Sequence, residues 1–139
     1  MKRGIFYALA FLIILLLIGL LLPVSGPRSA GKKVMCRLEV ENLNTAINQF
    51  KITFGKYPTG ENSNIVGVLS GNNSQKIVFL NFRQTLEHPN EMVDPWNTPY
   101  KIEFFQQTNF VIRSAGKDKI FGDADDIIFN SVTNNFVKP

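Results

Sequence analysis

KKVMCRLEVENLNTAINQFKITF, residues 32–54, decides how the rest of this chain must fold. Cys36, Val40, Leu43, Ile47, Phe50 and Phe54 recur at alternating spacings of four and three, the period of one helix face. Glu39, Glu41, Asn44, Asn48, Gln49 and Lys51 fall mostly off that stripe. Gly55 suits the left-handed position just past a helix end, and Pro58 prevents the helix from resuming. An amphipathic helix of this kind must lie on something. Its seam could serve a coiled coil, but two to three heptads carrying bulky phenylalanines favour packing within the domain.

Upstream, Ile5–Leu22 (IFYALAFLIILLLIGLLL) is a run of apolar and small residues without a charge or a proline. As a helix it would be about 27 Å long, enough to cross the hydrocarbon core of a bilayer. It is also longer than the usual apolar core of a signal peptide. The small-residue site Val24-Ser25-Gly26 is followed by Pro27, which would obstruct cleavage. A retained anchor is therefore expected. Pro23–Gly31 (PVSGPRSAG) should break or loosen the helix, giving residues 1–31 as anchor and linker and 32–139 as the globular domain.

Charge fits that division. The chain of 139 residues has a net charge of +4, with Lys2 and Arg3 before the apolar run and Arg28, Lys32, Lys33 and Arg37 soon after it. The remaining nine basic residues face eleven acidic ones, so a nucleic-acid-binding stripe is not expected. Counted alone, the flanking cations favour a cytoplasmic domain, because the C-terminal flank carries more of them. The two basic residues on a three-residue head equally resemble an anchor with its N-terminus inside. Cys36, the single cysteine, excludes an intramolecular disulfide and reads as an inert residue of the helix face.

Downstream, residues 56–75 read as a loop with about one helical turn at Ile65–Leu69, and Lys76–Phe82 as a short strand. Asp94–Pro99 (DPWNTP) is rigid turn chemistry, with Trp96 as a core plug. Tyr100–Phe105 and Phe110–Ser114 form a β-hairpin across Gln106–Asn109. A glycine- and aspartate-rich loop, Ala115–Asp126, precedes a short apolar run, Ile127–Phe129, and a tail expected to fray. The sum is an α+β fold: a long N-terminal helix, membrane-spanning in its first half and amphipathic in its second, packed on a small antiparallel β-sheet with a C-terminal acidic loop.

That loop is the most informative polar feature. Asp118, Asp123, Asp125 and Asp126 lie within nine residues, interrupted by Gly122 and preceded by Gly116. Carboxylates and carbonyls on a curling loop suit calcium, which takes six to eight oxygens. The EF-hand spacing is absent. The same residues would equally cap turns through their own backbone, with Lys117 and Lys119 offsetting charge. A hydrolase is hard to build: His88 is the sole histidine, Asp125-Asp126 have no separate partner motif, and no phosphate loop or zinc spacing occurs. No catalytic residue is assigned.

Four segments together resemble the type II secretion pseudopilins, especially the major pseudopilin, and the wider type IV pilin-like family. LLIGLLLP (Leu16–Pro23) resembles the hydrophobic helix and its proline. LEVENLNTAINQFKITFGKYPT (Leu38–Thr59) resembles the amphipathic helix ending in G-x-Y-P-T. DPWNTPY (Asp94–Tyr100) resembles the turn before the sheet, with Asn97 in place of a glycine. SAGKDKIFGDADDI (Ser114–Ile127) resembles the loop that holds calcium, with Lys119 in place of a glycine.

The resemblance implies a bacterial, single-pass protein of the inner (cytoplasmic) membrane with a periplasmic C-terminal domain. Its partners would be membrane lipid, the inner-membrane assembly platform and other pseudopilin or pilin-like subunits, in a homo- or hetero-polymer supporting protein export. Calcium would be held by Asp123, Asp125 and Asp126, with Asp118 also contributing. Ile5, Phe6, Leu9, Leu16, Gly19 and Pro23 would serve the membrane and assembly segment. Family members cleave a leader after a glycine and carry a glutamate five residues on; counted from Gly4, Leu9 takes that glutamate's place. A non-polymerising, membrane-anchored periplasmic binding domain on a pilin-like fold is the alternative.

Overall fold

The computed structural model describes residues 28–105 and 108–139; the expected span Ile5–Leu22 and the residues Ile5, Phe6, Leu9, Leu16, Gly19 and Pro23 lie outside them. Among the described residues no helix is long and apolar enough to cross a membrane.

Helix α1 runs from Arg28 to Phe54 over 27 residues, about 40 Å of rise. The stripe read from the sequence is its buried face. Cys36, Val40, Leu43 and Ile47 are fully buried, Phe50 and Ala46 nearly so, and Phe54 packs at the edge of the core. Burying each of the larger apolar side chains contributes about 1.5–3 kcal/mol. Gly55, at φ +72°, donates its amide to the Lys51 carbonyl at 2.8 Å and ends the helix. The linker expectation was too long at its end. Arg28–Gly31 are already helical, and the boundary drawn at residue 31 falls inside α1.

The segment after α1 is more helical than expected: α2 spans Asn62–Leu69 and buries Ile65, Val66 and Leu69. Lys76–Phe82, expected as a strand, is none; it makes a single antiparallel bridge, Val78 with Ser70. Its amides are used locally. Phe79 and Leu80 both donate to the Leu69 carbonyl, at the end of α2. Asn73 donates to the Val68 and Ile77 carbonyls while its Oδ1 accepts from Gln75 and Ile77. Side-chain bonds of this kind offer the backbone an alternative to a ladder.

The sheet is a four-stranded antiparallel meander in the order β1 (Lys101–Phe105), β2 (Asn109–Ser114), β3 (Ile127–Asn130), β4 (Asn135–Val137). The expected hairpin is β1–β2, with Ile102 opposite Ile112 and Phe104 opposite Phe110. The tail does not fray: Phe136 pairs with Phe129 and β4 completes the sheet. Polar composition concealed one alternation, in which only Phe136 turns toward the core. Phe110 and Ile112 point under α1 while Val111 and Arg113 point away, so helix and sheet enclose one core.

Candidate functional site

Two aspartate-built turns sit at adjoining ends of the sheet. The first, 94–99, precedes β1. Asp94 is 0% exposed, and its Oδ1 accepts from the Trp96 amide at 2.9 Å and the Thr98 amide at 3.0 Å. Its Oδ2 accepts the Ser114 hydroxyl at 2.6 Å, and Ser114 in turn accepts the Gly116 amide at 3.1 Å. Asp94 thus ties the turn to the end of β2 and to the first residues of the acidic loop. Trp96 is buried above it, and Asn97 takes φ +68° where the resembled turn has glycine.

α1 joins this network through Cys36 of the buried stripe and through Glu39, to which the sequence reading gave no role. The Tyr100 hydroxyl donates to Glu39 Oε2 at 2.7 Å and lies 3.5 Å from the Cys36 sulfur. Burial, then the neighbouring Cys36 and Glu39, push the Tyr100 hydroxyl far up. Burial likewise pushes up the Cys36 thiol, which is inert in the core. Burial also raises the Glu39 carboxyl, against the lowering effects of the Tyr100 bond and the Arg83 charge. The only early signal of Glu39's role was its place at the margin of the apolar stripe.

The second turn is the acidic loop. Its four aspartates first serve its own backbone. Asp118 Oδ1 accepts from the Ile120 amide at 2.9 Å, and Asp123 Oδ1 from the Asp125 amide at 2.7 Å. Asp126 Oδ2 accepts from the Gly122 amide at 2.9 Å. Asp125 Oδ2 accepts from the amides of both Lys117 and Asp118. Gly116, at φ +69°, permits this, because a Cβ there would overlap the Asp125 carbonyl and stand 2.7 Å from its carboxylate. Lys119 takes φ +66°, again where the resembled loop has glycine.

The other oxygen of Asp125 meets the ammonium of Lys33, on the first turns of α1, at 3.6 Å. Burial alone would raise the Asp125 carboxyl, but the two amides and Lys33 together pull it below the ordinary carboxylate range. A shallow groove of about 190 Å³ runs alongside, lined by Lys33, Arg37, Asp125, Asp126 and β4. The cation that the loop engages comes from α1.

Two observations bear on calcium. The donors are all oxygen, as calcium requires, and Asp126, only 6% exposed, holds its Oδ1 buried without a hydrogen-bond partner. Against this, among the described residues no three acidic, histidine or cysteine side chains converge as a metal-holding group. The loop offers one ready oxygen and would have to release others.

A long helix laid across an antiparallel meander, with an aspartate loop between β2 and β3, is an α+β arrangement consistent with a pilin-like fold. The family model for Type II secretion system (T2SS), protein G, matches residues 24–131, and the chain belongs to that family, the major pseudopilins. Comparison with curated proteins and with solved structures returned no significant match. Family membership gives the chain a pseudopilin role in type II secretion, a structural task alongside other pseudopilin subunits.

Proposed function

We propose that this chain polymerises: it is a filament subunit held in the inner membrane by Ile5–Leu22, with residues 32–139 in the periplasm. The observation that carries this reading is the second face of α1. Val34, Met35 and Leu38 are 60%, 48% and 56% exposed on the helix that leaves the proposed anchor. Adjacent exposed apolar side chains mark an interaction surface. Among the described residues they lie outside the core cluster, which leaves this face for other subunits and the assembly platform. Leu38→Asp in the full-length chain is expected to leave thermal unfolding unchanged while abolishing secretion and cross-linking to neighbouring subunits. Normal secretion by that variant would turn the reading toward a non-polymerising, membrane-anchored binding domain.

We also propose that the acidic loop takes calcium, with Asp118, Asp123, Asp125 and Asp126 as its side-chain oxygens. Asp126 Oδ1 supports this as a buried acceptor without a donor. Calcium would cross-link the ends of the loop and hold β3 against β2. Chelation is then expected to lower the melting temperature of the full-length chain, since a ligand of the native state stabilises it; an unchanged value counts against the site.

A further inference from the structure

We infer that Lys33 is the resident cation of the acidic loop: its ammonium closes the loop onto α1 without metal and competes with a divalent ion for Asp125. The competition half of this inference rests on the calcium reading; the closure half does not.

Three observations converge. Lys33 lies three residues before Cys36, the first buried position of the apolar stripe, so the core fixes its helix turn beside the loop. The carboxylate it meets is the one most committed to the loop's shape, with two backbone amides on its other oxygen. The neighbouring residue, Asp126, also lines this groove, and its Oδ1 is buried without a hydrogen-bond partner. A divalent ion seated on Asp126 and drawing in Asp125 through Oδ1, the oxygen that carries no amide, would have to displace the ammonium.

The geometry also explains why the lysines inside the loop are not the counter-ions. Lys117 and Lys119 are exposed, and neither forms an ion pair with a loop aspartate. The Lys33 side chain is 53% exposed and that of Asp125 27%, so the pair sits at the protein–water boundary, where an ion pair is modest in strength and yields to a stronger cation. A charge reached from another element staples the loop to the helix; a charge within the loop cannot.

The test is thermal unfolding of the full-length chain in detergent, with chelator and across a calcium series, for wild type, Lys33→Met, Asp125→Asn and the double variant. Methionine keeps an apolar stem and removes the charge. In chelator, Lys33→Met is expected to lower the melting temperature by about 2–4 °C, with the double variant losing no more than Asp125→Asn alone. In calcium, Lys33→Met is expected to respond at a severalfold lower concentration than wild type. An unchanged melting temperature in chelator, or additive losses in the double variant, overturns the staple. Calcium acting on both chains with one midpoint overturns the competition. No calcium response in either chain, with the chelator result intact, defeats the calcium reading and leaves Lys33 as the loop's only cation.

Discussion

Asp94 and Asp125 do the same local work in opposite surroundings. Each gathers two backbone amides onto one carboxylate oxygen and uses the other oxygen to reach a distant element. Asp94 is sealed in the core and reaches Ser114; Asp125 lies at the surface and reaches Lys33 on α1. Ser114 physically joins the two turns, because its hydroxyl donates to Asp94 while accepting the Gly116 amide near the start of the acidic loop. The difference teaches which turn is scaffold and which is adjustable. A buried carboxylate cannot lose its partners to water, whereas an exposed one exchanges them for water or an ion at small cost.

The largest expected effect therefore falls on the buried turn. Asp94→Ala leaves the Trp96 and Thr98 amides and the Ser114 hydroxyl without their acceptor in a space closed to water. It is expected to destabilise the domain by about 3–5 kcal/mol, measured by the denaturant midpoint of the full-length chain. Asp125→Asn, at the matching position of the exposed loop, is expected to cost about 1 kcal/mol or less. Equal losses would break the comparison.

A second, smaller expectation uses pH, because the two regions respond with opposite sign. The Asp125 carboxyl is held below its ordinary value near 3.8. It contributes stability above that value, lost as pH falls through its folded value. Glu39, coupled to the buried turn through Tyr100, is raised above its ordinary value near 4.5. There the native state binds the proton more tightly, so stability declines as pH rises from 4.5 through the raised value. Glu39→Gln is expected to flatten that decline and leave the acid limb below 3.8 unchanged, as read from melting temperatures across pH. A variant whose profile declines as wild type does would mean that Glu39 is not the group responsible.

Legibility followed the same divide. The stripe from Cys36 to Phe54, the hairpin and the role of Trp96 were plain, because burial imposes a period or a turn chemistry on the residues themselves. The strand expected at Lys76–Phe82 was not one, since Asn73 satisfies that backbone through side-chain bonds that an apolar pattern does not register. β4 was hidden because a three-residue strand with one buried residue, Phe136, has no period to read. At the loop, the aspartates and glycines were visible, and so was the alternative that they cap their own turns. Lys33 was not, because its partner lies ninety-two positions away in sequence and only the packing of α1 brings the two together.

The smallest expected effect concerns two positions where this chain carries something other than the glycine of the resembled family. Asn97 and Lys119 both adopt left-handed backbone, φ +68° and φ +66°. Asparagine tolerates that region; lysine does so with a steric penalty, because its Cβ crowds the backbone. Lys119→Gly removes that penalty but widens the freedom of the unfolded chain, so the two terms partly cancel. A net gain of about 0.5–1 kcal/mol is expected for Lys119→Gly, and less for Asn97→Gly, both read from denaturant midpoints. The order of the two gains sharpens the comparison between the regions. If Asn97→Gly gains more, the strain resides in the buried turn, and the rigidity of that turn is maintained against a local conformational cost. If Lys119→Gly gains more, the strain resides in the exposed loop, where the Lys33 ion pair and the bonds to Asp125 hold a backbone that its own sequence resists.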